Sequence, residues 1–186
     1  MARREEFQRE MADVALENLV VVDESGVTTS MTRRYGRAPK GERVVDRVPG
    51  GRWEVLTVIG AITLQGLRAT MTVPSATDGE VFCTYVHKVL VPALRPGQVV
   101  VLDNLGAHKV PGVRAAIEAA GCRLLYLPPY SPDLSPIEPA WSKMKTLLRA
   151  AKHRAQEALE RGVGTALQAI TAQDARSYFR HCGYAV

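Results

Sequence analysis

Three short aliphatic runs constrain this chain more than any other feature. Leu19–Val22 runs into Asp23, Val99–Leu102 runs into Asp103, and Arg123–Leu127 reads RLLYL before two prolines. Apolar runs this short, bounded by polar or turn residues, have the length of strands buried on both faces and are too brief for core helices. Between them, WEVLTVIGAIT (53–63) and LRATMTV (67–73) are β-rich and split by Leu64-Gln65-Gly66, the pattern of a hairpin. Helical spacing predicts helices over 3–18, with Phe7, Met11 and Val14 on one side, and over 78–91, stopping before Pro92. Further helices are predicted over 112–120, closed by Gly121, and over 137–152, 155–169 and 172–181. Residues 24–51 are polar, basic and rich in Gly and Pro, and read as a long loop or loose hairpin. The order of elements implies an α/β fold. Its mixed sheet has a first antiparallel meander of three strands, later parallel strands joined through helices, and helices on its faces.

Composition excludes several classes. Hydrophobic residues make up 46% of the 186 and charged residues 23%, ordinary usage for a globular domain. No apolar run approaches the ~20 residues that span a bilayer. The N-terminal MARREEFQRE has no apolar stretch after its arginines and is no signal peptide. Cys83, Cys122 and Cys182 stand far apart with no CxxC, so a reducing interior is the simpler reading than a disulfide framework or zinc knuckle.

Asp23 and Asp103 share one context: each ends an aliphatic run and is followed by polar residues. Strands of an open α/β sheet deliver side chains into a crevice at their carboxyl ends. If the two strands are parallel neighbours, the carboxylates meet there as strand-end groups, and their repulsion calls for a compensating cation. Oxygen donors select Mg²⁺ or Mn²⁺. Two unrelated turn aspartates are the bland alternative. Glu138 is the third acid. Ser135-Pro136-Ile137-Glu138 fits S-x-x-E, so Glu138 either closes a capping box or points from the first helical turn toward the aspartates. Ile137, Trp141, Met144 and Leu148 form the apolar face of that helix, while Glu138 heads a stripe of Ser142, Lys145, Arg149 and Lys152.

The segments VVDESGVTTSMTRRYGRAP (21–39), LDNLGAHK (102–109), LPPYSPDLSPIEPAWSKMK (127–145) and ITAQDARSYFRHCGY (170–184) resemble bacterial insertion-sequence transposases of the mariner-like superfamily. The six-thirty insertion-sequence family is the nearest group. In particular, 34 residues lie between Asp103 and Glu138, and the second acid lies in PPYSPDLSPIE. The resemblance implies a ribonuclease-H-like fold and a catalytic, metal-holding triad of Asp23, Asp103 and Glu138. It implies two Mg²⁺ or Mn²⁺ ions, and cleavage of DNA at element ends followed by strand transfer into target DNA. A ribonuclease-H-like nuclease without strand transfer, and a non-catalytic DNA-binding regulator of transposition, are the alternatives. The chain then divides into an N-terminal helix or linker remnant (1–18), the DDE catalytic domain (19–152) and C-terminal helices packed on the same domain (153–186). Complete members carry helix-turn-helix domains ahead of the first aspartate, so a helix-turn-helix partner or upstream reading frame is expected. So are a homodimer on DNA and a bacterial cytoplasmic, nucleoid-associated location without membrane contact.

The net charge of +5 is unevenly spread. Residues 33–47 hold six basic groups against Glu42 and Asp46, and no acid stands between Glu138 and Glu157. Such clusters point to a polyanion or to a solvated face. The DNA-binding candidates are Arg33, Arg34, Lys109, Lys145, Arg149 and Lys152. Glu24, on the strand face opposite Asp23, has a structural or supporting role. His108 either meets DNA or packs at a helix entry, and Trp141 belongs to the core.

Overall fold

The structure, a computed structural model, describes residues 2–186. The sheet has five strands: β1 (Leu19–Thr28), β2 (Val55–Thr63), β3 (Gly66–Val73), β4 (Val99–Leu102) and β5 (Arg123–Tyr126). Their order is β3-β2-β1-β4-β5. β1, β2 and β3 pair antiparallel, whereas β1–β4 and β4–β5 are parallel, as the sequence implies. The helices are α1 (Ala2–Met11), α2 (Gly79–Tyr85), α3 (Pro111–Ala119), α4 (Ile137–Ala151), α5 (Gln156–Gln168) and α6 (Ala172–His181).

Alternation along the central strands builds two cores. Leu19, Val21 and Val27 of β1 and Val101 of β4 face a layer made by α4, α5 and α6 through Trp141, Met144, Leu148, Leu159, Val163 and Phe179. Val20 and Val22 face the other way, onto Phe82 and Tyr85 of α2 and Val113 and Ile117 of α3. The central strands are covered on both sides, which is why they read as unbroken aliphatic runs.

Three boundaries differ from the sequence expectation. The first helix ends at Met11 and gives way to turns, with Val14 and Leu16 turned onto the core. The helix begun by α2 does not stop before Pro92. It continues as a π-helical turn (Val86–Leu90) and a 3₁₀ turn (Val91–Ala93) that contains Pro92. Most consequentially, β1 runs on through Thr28, because Glu24–Thr28 find partners along Ile59–Val55 of β2. The long loop therefore begins after the strand, and Asp23 lies within β1 rather than at its end.

The segment Leu127–Pro136, which joins β5 to α4, is braced from both ends of the chain. Tyr184 Oη donates to Leu134 O at 2.8 Å, and Arg4 reaches Ser131 Oγ (3.3 Å) and Asp133. The Arg4 pair is exposed and contributes little, so the tyrosine carries more of the bracing. Tyr184→Phe is expected to cost about 1 kcal/mol, or roughly 2–4 °C of melting temperature. Thermal unfolding followed by circular dichroism checks this.

Candidate active site

The parallel register brings the aspartates together. Val21 pairs with Val101 across β1 and β4. Two residues further along stand Asp23, still within β1 and on the face of Val21, and Asp103, one residue beyond the end of β4. β4 ends at Leu102, so a crevice opens beside β1 where Asp103 leaves the sheet. Glu138 comes from α4. That helix starts at Ile137 with Pro136 at its cap and no side-chain cap bond, so the capping-box alternative is not realised. Glu138 is exposed and its carboxylate is not engaged in closing the helix.

All three acids line one cleft of about 460 Å³, together with Asn104, Leu127, Pro128, Tyr130, Ser131 and Ser135. Asn104 Nδ2 donates to Leu127 O, which ties the Pro128–Pro129 turn to the end of β4 and fixes the cleft wall. The acids share the cleft without forming a tight cage. Among the described residues, no three His, Cys, Asp or Glu side chains are gathered closely enough to enclose an ion. Like charges in one cleft repel unless a cation compensates them.

Each aspartate commits one oxygen to the protein. Asp23 Oδ2 accepts from Trp141 Nε1 at 3.1 Å. The indole approaches because residue 60, opposite Asp23 on β2, is glycine. A Cβ there would lie 3.2 Å from the Trp141 ring. Asp103 Oδ1 accepts from Leu105 N at 2.9 Å and lies 2.6 Å from His108 Nδ1, an ionic approach rather than an aligned hydrogen bond. His108 Nε2 lies 2.8 Å from Glu24 Oε2. The imidazole is fully buried and stacks 4.1 Å from Phe82, centroid to centroid.

The electrostatics follow from this arrangement. Burial, with added repulsion from Glu138, Glu24 and Asp103, pushes the Asp23 carboxyl up to about 7. For His108, burial works against the charged form but is outweighed by Asp103 and Glu24, which push the imidazole up to about 9. Burial would raise Asp103, yet His108 and the Leu105 amide outweigh it and hold the group below its ordinary value. The site thus holds one carboxylate stabilised by a buried cation and another, Asp23, that makes no ion pair and feels Lys145 only at longer range. Hard oxygen donors around an under-compensated carboxylate fit a divalent ion such as Mg²⁺ or Mn²⁺.

The basic candidates separate into groups. Arg33, Arg34 and Arg149 line a groove of about 390 Å³ with Tyr35 and Thr146, between the long loop and α4. Lys145 lies between that groove and Glu138. Burial, then Arg149, lowers its pKa, and burial, then Arg34, lowers that of Arg149. Lys152 departs from the expected stripe. It caps α4 in a left-handed conformation and pairs with Asp46, 2.7 Å from Oδ1. Arg154 pins the base of the same loop by donating to Thr29 O (2.8 Å) and Met31 O (2.9 Å). Lys109 stands exposed on the other side of the cleft, 5.7 Å over the Tyr126 ring. Sequence reasoning missed the indole bond to Asp23 and the bridging imidazole. Spacing alone offered no signal for the first. The second was hinted at only by His108 following Asp103 by five residues.

The sequence model of the DDE superfamily endonucleases matches residues 18–160. The chain belongs to that family. This DDE endonuclease chain is similar in fold to the Mos1 transposase paired-end complex with left transposon end (TM-score 0.72, 16% identity, 97% of this chain and 56% of that one). It is similar too to the Mos1 mariner paired end complex with Mn (TM-score 0.68, 16% identity, 97% and 56%). The catalytic domain of Mos1 mariner transposase gives a TM-score of 0.64 at 17% identity over 97% and 83%. The fold is therefore ribonuclease-H-like, as the resemblance implies. The chain spans a little over half the length of the first of these transposases. No curated protein matches its sequence.

Ionised Asp23 opposes folding. Its folded pKa of about 7 lies above the ordinary 3.8, so the cost is absent below about pH 4, grows between 4 and 7 and is complete above 7. Without divalent ions, Asp23→Asn should raise the melting temperature at pH 8 by a few degrees, roughly 2–4 °C per kcal/mol recovered, and leave it unchanged near pH 4. Melting curves at the two pH values check this.

Proposed function

We propose that this chain is the catalytic domain of a DDE transposase. It would cut a DNA strand at the ends of an insertion sequence and join the freed 3′-hydroxyl to target DNA. The observation that carries the proposal is the register-matched pair Asp23 and Asp103 facing Glu138 across one cleft, in a chain of the DDE family. A six-thirty-type insertion sequence is the finer reading, resting on PPYSPDLSPIE and the 34-residue spacing.

Asp23, Asp103 and Glu138 would hold Mg²⁺ or Mn²⁺, two ions in the full site. Ions there supply a more acidic attacking water or 3′-hydroxyl and neutralise charge on the leaving oxygen of an in-line displacement at phosphorus. The chain's own residues do the rest. Trp141 and His108 orient the aspartates, and the Leu127–Pro136 wall confines the scissile phosphate to one face of the cleft. Lys145, with Arg149, Arg33 and Arg34, would guide the backbone past Glu138, since crowded cations are relieved by a polyanion. Lys109 would touch phosphate from the opposite rim. Lys152, already paired with Asp46, serves the loop more than DNA. A helix-turn-helix region on a partner or upstream frame would read the element ends, two copies would act together on DNA, and the setting would be the bacterial cytoplasm. No helix among the described residues is long and apolar enough to cross a membrane.

Two experiments test this reading. Asp23→Asn, Asp103→Asn and Glu138→Gln should each abolish Mn²⁺-dependent nicking and, with a pre-cut 3′-hydroxyl donor, joining. Nicking without joining by the wild type would reduce the enzyme to a nuclease, and wild-type rates in the variants would displace the site. For DNA binding, each phosphate contact contributes about 0.9 to the slope of log affinity against log salt. Neutralising Lys145 and Arg149 together should flatten that slope by up to about 2, whereas Lys152→Ala alone should barely change it. A salt titration by fluorescence anisotropy measures both.

A further inference from the structure

We infer that His108 and Glu24 form a positioning pair for the metal site, resting on the reading above: the buried imidazole decides which oxygen of Asp103 faces the cleft, and Glu24 locks the imidazole from the opposite face of the sheet. Asp103 needs such a device. It lies one residue beyond β4, where strand pairing no longer fixes the backbone. Two groups converge on its Oδ1, the Leu105 amide, which donates at 2.9 Å, and the imidazole, whose Nδ1 makes an ionic contact at 2.6 Å. Among the described residues Oδ2 has no protein hydrogen-bond donor, so it is the oxygen left for a ligand.

The imidazole is held on every side. Its ring is fully buried against Phe82, its backbone carbonyl accepts from Tyr126 Oη of β5 at 3.1 Å, and Nε2 contacts Glu24 Oε2 at 2.8 Å. Glu24 follows Asp23 along β1 but projects to the other face, and its side chain is only 15% exposed. The chain of contacts therefore closes. Asp103 is held by His108, His108 by Glu24, and Glu24 is joined through one peptide bond to Asp23. The two register-matched aspartates are coupled by side chains as well as by the sheet. A buried polar cluster serving stability alone would need no link to both.

Partners that orient a metal-binding carboxylate typically change metal affinity by 10–100-fold when removed. His108→Phe keeps a ring against Phe82 but deletes both nitrogens. It should weaken Mn²⁺ binding to the purified chain, measured by electron paramagnetic resonance, about 10–100-fold. Nicking should need correspondingly more Mn²⁺ yet recover most of its rate at saturation. Glu24→Gln still accepts from Nε2–H and should stay within a few-fold of wild type, whereas Glu24→Ala should behave like His108→Phe. Wild-type Mn²⁺ affinity in His108→Phe, with only a lower melting temperature, would overturn the proposal. If that variant does not melt cooperatively, Glu24→Ala decides in its place by the same criterion. Asp103→Asn separates the two levels: undiminished Mn²⁺ binding there would refute the metal site itself rather than its positioning.

Discussion

The parallel pairing of β1 with β4, in the register that sets Val21 beside Val101, is the constraint on which the site depends. The same register sets Asp23, within β1, beside the end of β4 where Asp103 follows. A slip of one residue would turn Asp23 to the side of Phe82 and Tyr85 and dissolve the pair. What holds the register is apolar. Leu19 and Val21 must face the α4–α6 layer while Val20 and Val22 face α2 and α3, and both layers are filled. The core thus sets where the charges go. Placing two carboxylates against a buried sheet edge is unfavourable by itself, and the hydrophobic burial on either side offsets it.

The supporting groups around the aspartates share one logic. Each carboxylate gives one oxygen to a rigid ring from a different layer, Asp23 to the donating Trp141 indole of α4 and Asp103 to an ionic contact with the His108 imidazole of the second core. Rigid rings fix direction at little cost in side-chain entropy, which suits a site that must present the remaining oxygens in set places. Gly60 belongs to the same arrangement, since a Cβ there would lie 3.2 Å from the ring and crowd the indole over β2. The basic groove follows a different logic. Arg33 and Arg34 come from a loop held against α4, the helix of Arg149, by Arg154 and the Lys152–Asp46 pair. Two cations anchor the loop so that others stay free to face a polyanion.

Strand identity was legible wherever a run was wholly aliphatic, because burial on both faces leaves no polar residue inside the strand. It failed for Glu24–Thr28, a polar stretch that is strand only because β2 is long enough to pair with it. Asp23 stood out as a candidate, yet its place within a strand depended on a long-range pairing that no local pattern records. Glu138 was ambiguous from sequence, since S-x-x-E serves capping as well as chemistry, and Pro136 at the cap removes the capping reading. Lys152 looked like one more cation in a stripe. Its pairing with Asp46, 106 positions away, comes from the folding of a loop whose path local propensity does not determine. Trp141 was expected in the core and is buried there, but the polar edge of its ring meets Asp23, a contact that apolar periodicity does not reveal.

The central claim is that Asp23, Asp103 and Glu138 make one divalent-ion site at the register-matched edge of β1 and β4. Anomalous diffraction from crystals of this chain soaked in Mn²⁺ tests it most directly. The account predicts a peak in the cleft, about 2.0–2.3 Å from one oxygen each of Asp23 and Asp103, with Glu138 swung toward it. A Mn²⁺ peak elsewhere on the chain at saturating concentration, with that cleft empty, would contradict it.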